Sequence, residues 1–325
     1  MITEERIPYK PFEYPVFNEY WMKQHQAHWI HTKIPMQGDI KDWLNLTEEE
    51  RNVVEQILMN FAQMETNISD YWATLIPRWF PKPEIKSMAQ TFAGFETIHA
   101  EAYSYLNEIL DLTDFSAFLY DEDIMNKLDM LIEPENEELD DIATSVAVFS
   151  AIAEGTLLYS SFATLLSFKR KNMLNGISQQ MVYSIRDESL HSKAGCHLYR
   201  ILCDENPGLK DKLKAKVKEA FVYALNAEFK CINKIFELGD IETMLKEDLK
   251  NFIIWRANNK WNELGYEGNI YELDWDISKF NWFFEEIKGR DDDFFYGRVT
   301  TYRKVGEEFS KNMFELIDKN QLNEQ

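Results

Sequence analysis

Apolar residues recur along this chain at helical spacing over long stretches, with little of the punctuation that separates short strands. Thr47 and Glu50 form a capping-box signature, and the pattern behind them predicts a helix reaching about Leu75, ahead of Pro77. Pro81 and Pro83 suit the start of the next helix, which runs to about Leu110. No proline lies between Pro134 and Pro207, and Gly176 is the expected break between helices over 140–171 and 178–203. Asn206-Pro207-Gly208 reads as a turn. Two further helices are predicted over 209–238 and 241–264, ended by Gly239 and Gly265. The first 42 residues hold Pro8, Pro11, Pro15 and Pro35 and read as an irregular arm with one short helix over 18–29. A short segment over 121–132, an acidic stretch over 133–141 and an irregular stretch over 266–276 complete the pattern.

With 325 residues and 45% apolar content the chain can bury a large core, and only 12 Gly and 9 Pro leave few turns. The expectation is therefore an all-α protein. No repeat and no internal linker is visible, so residues 1–303 are read as one domain. Residues 304–325 are read as a flexible tail, polar with scattered Phe309, Met313, Phe314 and Ile317. A net charge of −21 argues against a nucleic-acid partner, which usually calls for a basic surface. Cys196, Cys203 and Cys231 lack paired spacing, which suits reduced thiols in a cytoplasmic protein. The segment from Met1 to Lys10 lacks the apolar run of a secretory signal, and no uniformly apolar, charge-free span predicts a membrane crossing.

Two of the six histidines follow a glutamate by three positions, in Glu96-Thr97-Ile98-His99 and Glu188-Ser189-Leu190-His191. On a helix, such positions share a face, so each pair aims a carboxylate and an imidazole the same way. That spacing alone is weak, and its setting strengthens it. Both pairs fall mid-helix among apolar neighbours, as do Glu65 in Phe61-Ala62-Gln63-Met64-Glu65 and Glu154 in Ala151-Ile152-Ala153-Glu154-Gly155. A lone buried carboxylate is costly, and four together repel one another. Two divalent cations would cancel four carboxylate charges. Oxygen-rich sites with one imidazole per ion suit iron or manganese better than structural zinc, and helix bundles with paired carboxylate metals show this ligand set. Any single Glu or His here would by itself be a surface or satisfied core group. His25, His28 and His31 also recur every three residues, but no carboxylates share their register, so they are read as packing.

These residues resemble the small subunit of class I ribonucleotide reductases. The stretch Phe95-Glu96-Thr97-Ile98-His99 through Tyr103 is similar to that family's first metal motif with its radical tyrosine. The stretch Ile185-Arg186-Asp187-Glu188-Ser189-Leu190-His191 is similar to its second, including the aspartate before the ligand. Trp29 stands where the family keeps a radical-transfer tryptophan, and Phe294-Phe295-Tyr296-Gly297-Arg298-Val299-Thr300-Thr301-Tyr302 resembles its closing motif, whose last tyrosine relays the radical. The resemblance covers Tyr14 to Tyr302. Two departures stand out. Glu65 replaces the aspartate common at the first ligand position and resembles the manganese-using subgroups, whereas the Mn/Fe members typically lack the tyrosine that Tyr103 retains. The expected pocket of Tyr103 holds Met181, Leu158, Phe162 and Ser184, and Ser184 is polar where the family is commonly aliphatic.

The resemblance implies a ferritin-like bundle with additional helices around a four-helix dimetal core, working as a homodimer. It implies a radical-generating subunit of ribonucleoside-diphosphate reductase that makes deoxyribonucleotides with a large catalytic subunit. The reductant would be thioredoxin or glutaredoxin, and the activating oxidant oxygen or a reduced oxygen species. Metal ligands would be Glu65, Glu96, His99, Glu154, Glu188 and His191, holding two ions as Mn/Mn or Mn/Fe, with Fe/Fe as the alternative. Tyr103, Asp187, Trp29 and Tyr302 would carry the radical chemistry. The rival function is a stand-alone ferritin-like dimetal oxidase, which needs the six ligands but neither the Trp29–Asp187 pair nor a C-terminal relay tyrosine. An iron-storage bundle is a second rival, and it would need a cage-forming assembly.

Overall fold

The computed structural model describes residues 1–112 and 137–288. Within them every regular element is helical, and the nearest approach to a strand is a single bridge between Ile241 and Met244. The predicted segment over 121–132, the closing motif with Tyr302 and the tail from Lys304 lie outside the described residues.

Four long helical runs form the core. The first, α3 (Glu48–Asp70), opens on the expected capping box: the Thr47 hydroxyl accepts from the Glu50 N–H, and the Glu50 carboxylate accepts from the Thr47 N–H. It continues through a π-helical turn, Tyr71–Leu75, into the short α4 (Ile76–Trp79). The second run is α5 (Pro83–Ile109), with its proline in the first turn as the sequence predicts. The third begins as α6 (Leu139–Val148), widens into a π-helical stretch, Phe149–Leu157, and resumes as α7 (Tyr159–Ser167). The fourth is α8 (Asn175–Glu205). Helix α3 packs along α5, and α8 packs against α5, the π stretch and α7. An outer layer covers this core. It consists of α1 (Pro15–Gln26), α2 (Gln37–Trp43), α9 (Leu209–Ile235) and α10 (Lys246–Glu263). A second unit begins at Asn281, and its described part is α11 (Asn281–Lys288).

The run from Leu139 to Lys171 is long and apolar enough by composition to cross a membrane, yet 78% of its most apolar window is buried inside the protein. Burial, not lipid, explains its hydropathy: Phe149, Phe162, Leu165 and Leu166 are all core residues. The three cysteines are buried and none is in a disulfide.

Several boundaries differ from the sequence expectation, each for a local reason. Helix α1 spans Pro15–Gln26, so Trp29 lies beyond its end in an extended segment. Gly176 does not break the chain. It sits in the first turn of α8, and the break is the turn at Asn172 and Leu174, both left-handed with φ of 56° and 50°. Two aspartates hold that turn: Asp42 accepts from the Leu174 N–H at 2.9 Å, and Asp39 accepts from Gly176 and Ile177 at 3.0 and 2.9 Å. A side chain at Gly176 would press on Asp39, with a Cβ only 2.8 Å from its Oδ2, so glycine is needed for close approach. Helix α10 starts at Lys246, five residues later than predicted, because Asp240 accepts the Lys246 N–H at 2.8 Å and pinches 241–245 into a turn. Helix α9 stops at Ile235 rather than 238.

Candidate metal centre

Each of the four core runs contributes one carboxylate to a common interior point: Glu65 from α3, Glu96 from α5, Glu154 from the π stretch and Glu188 from α8. His99 and His191 join them one turn below Glu96 and Glu188, and all six side chains are fully buried. They form two overlapping groups, each with ligand atoms within 4.8 Å of one another. One is Glu65, Glu96, His99 and Glu188, and the other is Glu96, Glu154, Glu188 and His191. Glu96 and Glu188 belong to both groups, so either could serve both ions if two were bound. The imidazole rings stack at 26° with centroids 6.4 Å apart.

The inward atoms test whether metal ions fit. Both oxygens of Glu65 and of Glu188, one oxygen each of Glu96 and Glu154, and Nδ1 of His191 have no hydrogen-bond partner although buried. Buried polar atoms in that state are rare and costly. His191 Nδ1 lies 2.5 Å from Glu96 Oε1 without hydrogen-bond geometry, and His99 Nδ1 lies 2.9 Å from Glu188 Oε1. Lone pairs converging this closely are arranged around a shared cation, not around one another. Four hard carboxylates and two imidazoles are a donor set for two divalent transition metals.

Around these ligands lies a hydrogen-bonded frame centred on Asp187. Its Oδ2 accepts from the Trp29 indole N–H at 2.7 Å and faces His99 Nε2 at 3.2 Å. Its Oδ1 accepts from the Gln24 amide at 3.1 Å and from Arg186 at 3.3 Å. The Gln24 carbonyl oxygen meets His191 Nε2 at 3.0 Å. Each imidazole thus has its Nε2 engaged outside, which leaves Nδ1 as the inward donor. Trp29 also stacks on the His99 ring at 5.7 Å.

The sequence profile of the family "Ribonucleotide reductase, small chain" matches residues 6–275. The chain belongs to that family. A protein of Invertebrate iridescent virus 6, named as a probable ribonucleoside-diphosphate reductase small subunit, is 29% identical to this small chain over 84% of it and 86% of the viral protein. The ribonucleoside-diphosphate reductase subunit beta of Chlamydia pneumoniae is 25% identical over 91% of this chain and 90% of its own length. Among solved structures, dimanganese(II)-NrdF of Streptococcus sanguinis superposes with a TM-score of 0.75 at 19% identity, covering 88% of this chain and all of that one. The fold is accordingly the ferritin-like one, and the small chain is an oxidoreductase subunit with a dimetal site.

Tyr103 is fully buried one helical turn beyond His99, and its hydroxyl donates to Ser184 Oγ at 2.7 Å. Its ring packs on Phe61 at 4.6 Å, and Phe162 packs behind Phe61 at 5.5 Å. Met181 and Leu158 are buried as well. Burial first, and then the charge of Glu65, push the phenol well above its usual pKa. His25, His28 and His31 stay with packing: His28 meets Phe95 edge-on and His31 lies against Tyr105.

Three contributors escape a reading of the sequence. Gln24 and Arg186 carry no spacing signature: Arg186 holds Asp187, and Gln24 spans from Asp187 to the outer nitrogen of His191, contacts between residues far apart in the chain or off the helical repeat. Trp72, which donates its indole N–H to Glu154, is placed by the π-helical turn at Tyr71–Leu75, and a 3.6-residue period cannot register a wider turn.

Without ions the cluster must hold protons. Burial and the neighbouring Glu188 push the Glu65 and Glu154 carboxyls well above the ordinary range. Burial acts the other way on His191, but Glu96 against its Nδ1 overrides it and raises the imidazole to about 9. His99 is raised in the same manner. His191 therefore holds a proton at pH 7, and Glu65, Glu154 and His99 are shifted toward holding theirs, so protons must leave when ions bind. Metal affinity is therefore expected to weaken steadily as pH falls. Calorimetric titrations with Mn(II) in two buffers of different ionisation enthalpy should show net proton release, and a buffer-independent heat would contradict it.

Proposed function

We propose that this small chain holds two transition-metal ions and generates the oxidising equivalent used by a large catalytic subunit to reduce ribonucleotides. Glu65 and His99 hold one ion, Glu154 and His191 the other, with Glu96 and Glu188 shared. When bound, such a pair supplies one-electron oxidising power after reaction with oxygen or a reduced oxygen species. The protein's own residues keep this chemistry dry, since every ligand is fully buried. Asp187 fixes the His99 ring and holds Trp29 by its N–H. Tyr103 sits beside His99 with its proton directed at Ser184, a partner that can accept from the phenol and donate to it once the phenol has lost its hydrogen. Reducing power from thioredoxin or glutaredoxin would arrive at the large subunit. The small chain works as a homodimer in the cytoplasm.

The observation that carries this reading is the direct link from His99 Nε2 through Asp187 Oδ2 to the Trp29 indole. A stand-alone oxidase needs the six ligands but has no use for an indole wired to one of them through a buried carboxylate. Glu65 at the first ligand position supports manganese in at least one site. Reconstitution of the metal-free protein with Mn(II), Fe(II) and mixtures, followed by turnover with the large subunit, tests it. The highest turnover is expected with manganese present, and full activity with iron alone would refute the choice of metal.

The tail from Lys304 to Gln325 is proposed to dock on the large subunit, since a polar segment with spaced apolar residues orders on binding. Deleting it should abolish complex formation in a sedimentation assay and leave metal content unchanged. Undiminished affinity after truncation would remove this role.

A further inference from the structure

The centre has an indole on each side. Trp29 stacks on His99 and donates its N–H to Asp187. On the other side Trp72 is fully buried, lies 6.1 Å from the His191 ring and donates its N–H to the ligand Glu154. Trp72 is not isolated. Phe149 meets it at 5.4 Å and stacks on the adjacent Tyr71 at 3.7 Å. Tyr71 in turn meets Trp79 edge-on at 5.9 Å. Trp79 reaches the surface end of α4, where its indole N–H donates to Glu137 at 2.9 Å. Glu137 is 48% exposed and also pairs with Arg78 at 2.6 Å. A continuous packed aromatic column therefore joins a metal ligand to a solvent-facing carboxylate, away from Trp29.

Indoles are the side chains best suited to lose an electron without first losing a proton, and a carboxylate on the N–H stabilises the resulting cation. Tyr71 differs from both the indoles and Tyr103: its buried hydroxyl meets Ser145 Oγ at 2.7 Å, a serine cannot take up a phenolic proton, and no carboxylate among the described residues acts on it as Glu65 and Glu188 act on Tyr103. The redox-active pair is then Trp72 and Trp79, with Tyr71 and Phe149 as the packed medium between them.

We propose that Trp72 and Trp79 form a second electron route, through which an unused oxidising equivalent leaves the centre toward the surface at Glu137. The inference rests on the centre storing such an equivalent. One electron passes from Trp72 to the oxidised centre and one from Trp79 refills Trp72, so the centre is reduced by one electron and Trp79 is oxidised by one. The Trp79 N–H proton moves to Glu137, whose pairing with Arg78 keeps the carboxylate in place and offsets the nearby guanidinium charge, 5.9 Å from the ring. A one-electron donor from solution, such as ascorbate or a thiol, restores Trp79, and the proton returns from Glu137. Where that donor is too scarce to keep pace, dioxygen adds to the indolyl radical, and the peroxyl radical takes one electron from the donor and one proton from water to leave a hydroperoxy-tryptophan. The route gives the small chain a harmless discharge when no large subunit is engaged, and spares buried groups such as Cys196.

The test uses the full-length subunit, metal-loaded and oxidised, without its partner. The lifetime of the oxidised centre is followed by absorbance and electron paramagnetic resonance, and oxygenated residues are mapped by peptide mass spectrometry. Trp79→Phe should lengthen the lifetime by about tenfold. Trp79→Tyr, which restores an oxidisable ring beside Glu137, should bring it back toward wild type. Tyr71→Phe should leave it unchanged, because the ring medium remains. Oxygenated Trp79 should accumulate in the manganese- or iron-loaded protein and not in protein loaded with redox-inert zinc under the same oxidant. An unchanged lifetime in Trp79→Phe, or equal Trp79 oxygenation in the zinc-loaded protein, would overturn the route. A wild-type protein that stores no oxidising equivalent under any metal would instead remove the reading of the centre itself, and the route with it.

Discussion

A Trp29→Phe small chain is expected to load both metals and become oxidised as the wild type does, yet to reduce nucleotides at least about a hundredfold more slowly, a barrier increase of roughly 2.7 kcal/mol. The reason lies in what Trp29 touches. Its indole N–H ends on Asp187 Oδ2 at 2.7 Å, and the same oxygen faces His99 Nε2. No ligand oxygen depends on Trp29, so phenylalanine leaves the inner cluster as it is. It removes the only ring along this link that can lose an electron readily. It also frees one hydrogen-bonding position on Asp187, which Gln24 and Arg186 still hold through Oδ1. Metal content, the spectrum of the oxidised centre and turnover with the large subunit separate the possibilities. Normal turnover would mean that the radical leaves by another residue. Loss of metal would mean that Trp29 supports the ligands and not the transfer. Tyr302→Phe is expected to share the turnover defect, with Tyr302 as the next stepping stone.

The helices and the convergence of six side chains were legible because two separate periodicities coincide. Apolar spacing marks the core runs, and the Glu-x-x-His pairs place ligands on their inward faces, so Glu65, Glu96, His99, Glu154, Glu188 and His191 could be named and do converge in space. What the sequence hides is whatever depends on a departure from the regular turn or on partners distant in the chain. The π-helical stretch at Phe149–Leu157 carries Glu154 among residues that look like an ordinary apolar helix. There the Thr156 hydroxyl bonds the carbonyl of Ala151 five residues back, which no i,i+4 pattern encodes. Gln24 lies 163 residues from Asp187, and its amide is indistinguishable in the sequence from any surface glutamine. The sequence pattern makes Gly176 a breaker, because glycine usually is one. Here it admits Asp39 to the first turn of α8. Ser184 shows the opposite case. Its spacing from Glu188 put it beside Tyr103, and the structure gives it a specific task, accepting the buried phenol's hydrogen bond.

Glu188→Gln should have the largest effect on the centre itself, the loss of tight binding for both ions, where Glu65→Gln weakens chiefly the ion on the His99 side. Glu188 lies in both ligand groups, with one oxygen 2.9 Å from His99 Nδ1 and the other 3.6 Å from His191 Nδ1. Although burial alone would raise its pKa, its contacts with Glu154 and the two imidazoles hold it well below the carboxylate range, so it stays charged. An amide of the same shape offers one weak oxygen in place of two charged ones and cannot bridge. The metal-free fold should change little, because the packing of α8 is untouched and the attraction lost to the two imidazoles is offset by the carboxylate repulsion removed from Glu65 and Glu154. The two consequences separate in a melting experiment. A ligand present at about a thousand times its dissociation constant stabilises the folded state by roughly 4 kcal/mol. The wild type should therefore melt markedly higher with Mn(II) than without. Glu188→Gln should melt at the metal-free wild-type temperature under both conditions, and elemental analysis should find little bound metal. A variant that still binds two ions and keeps the metal-dependent rise would show that Glu96 alone bridges the pair. A variant whose metal-free form melts far lower would show that Glu188 supports the apo-protein through the two histidines, and that the four helices need its charge to meet.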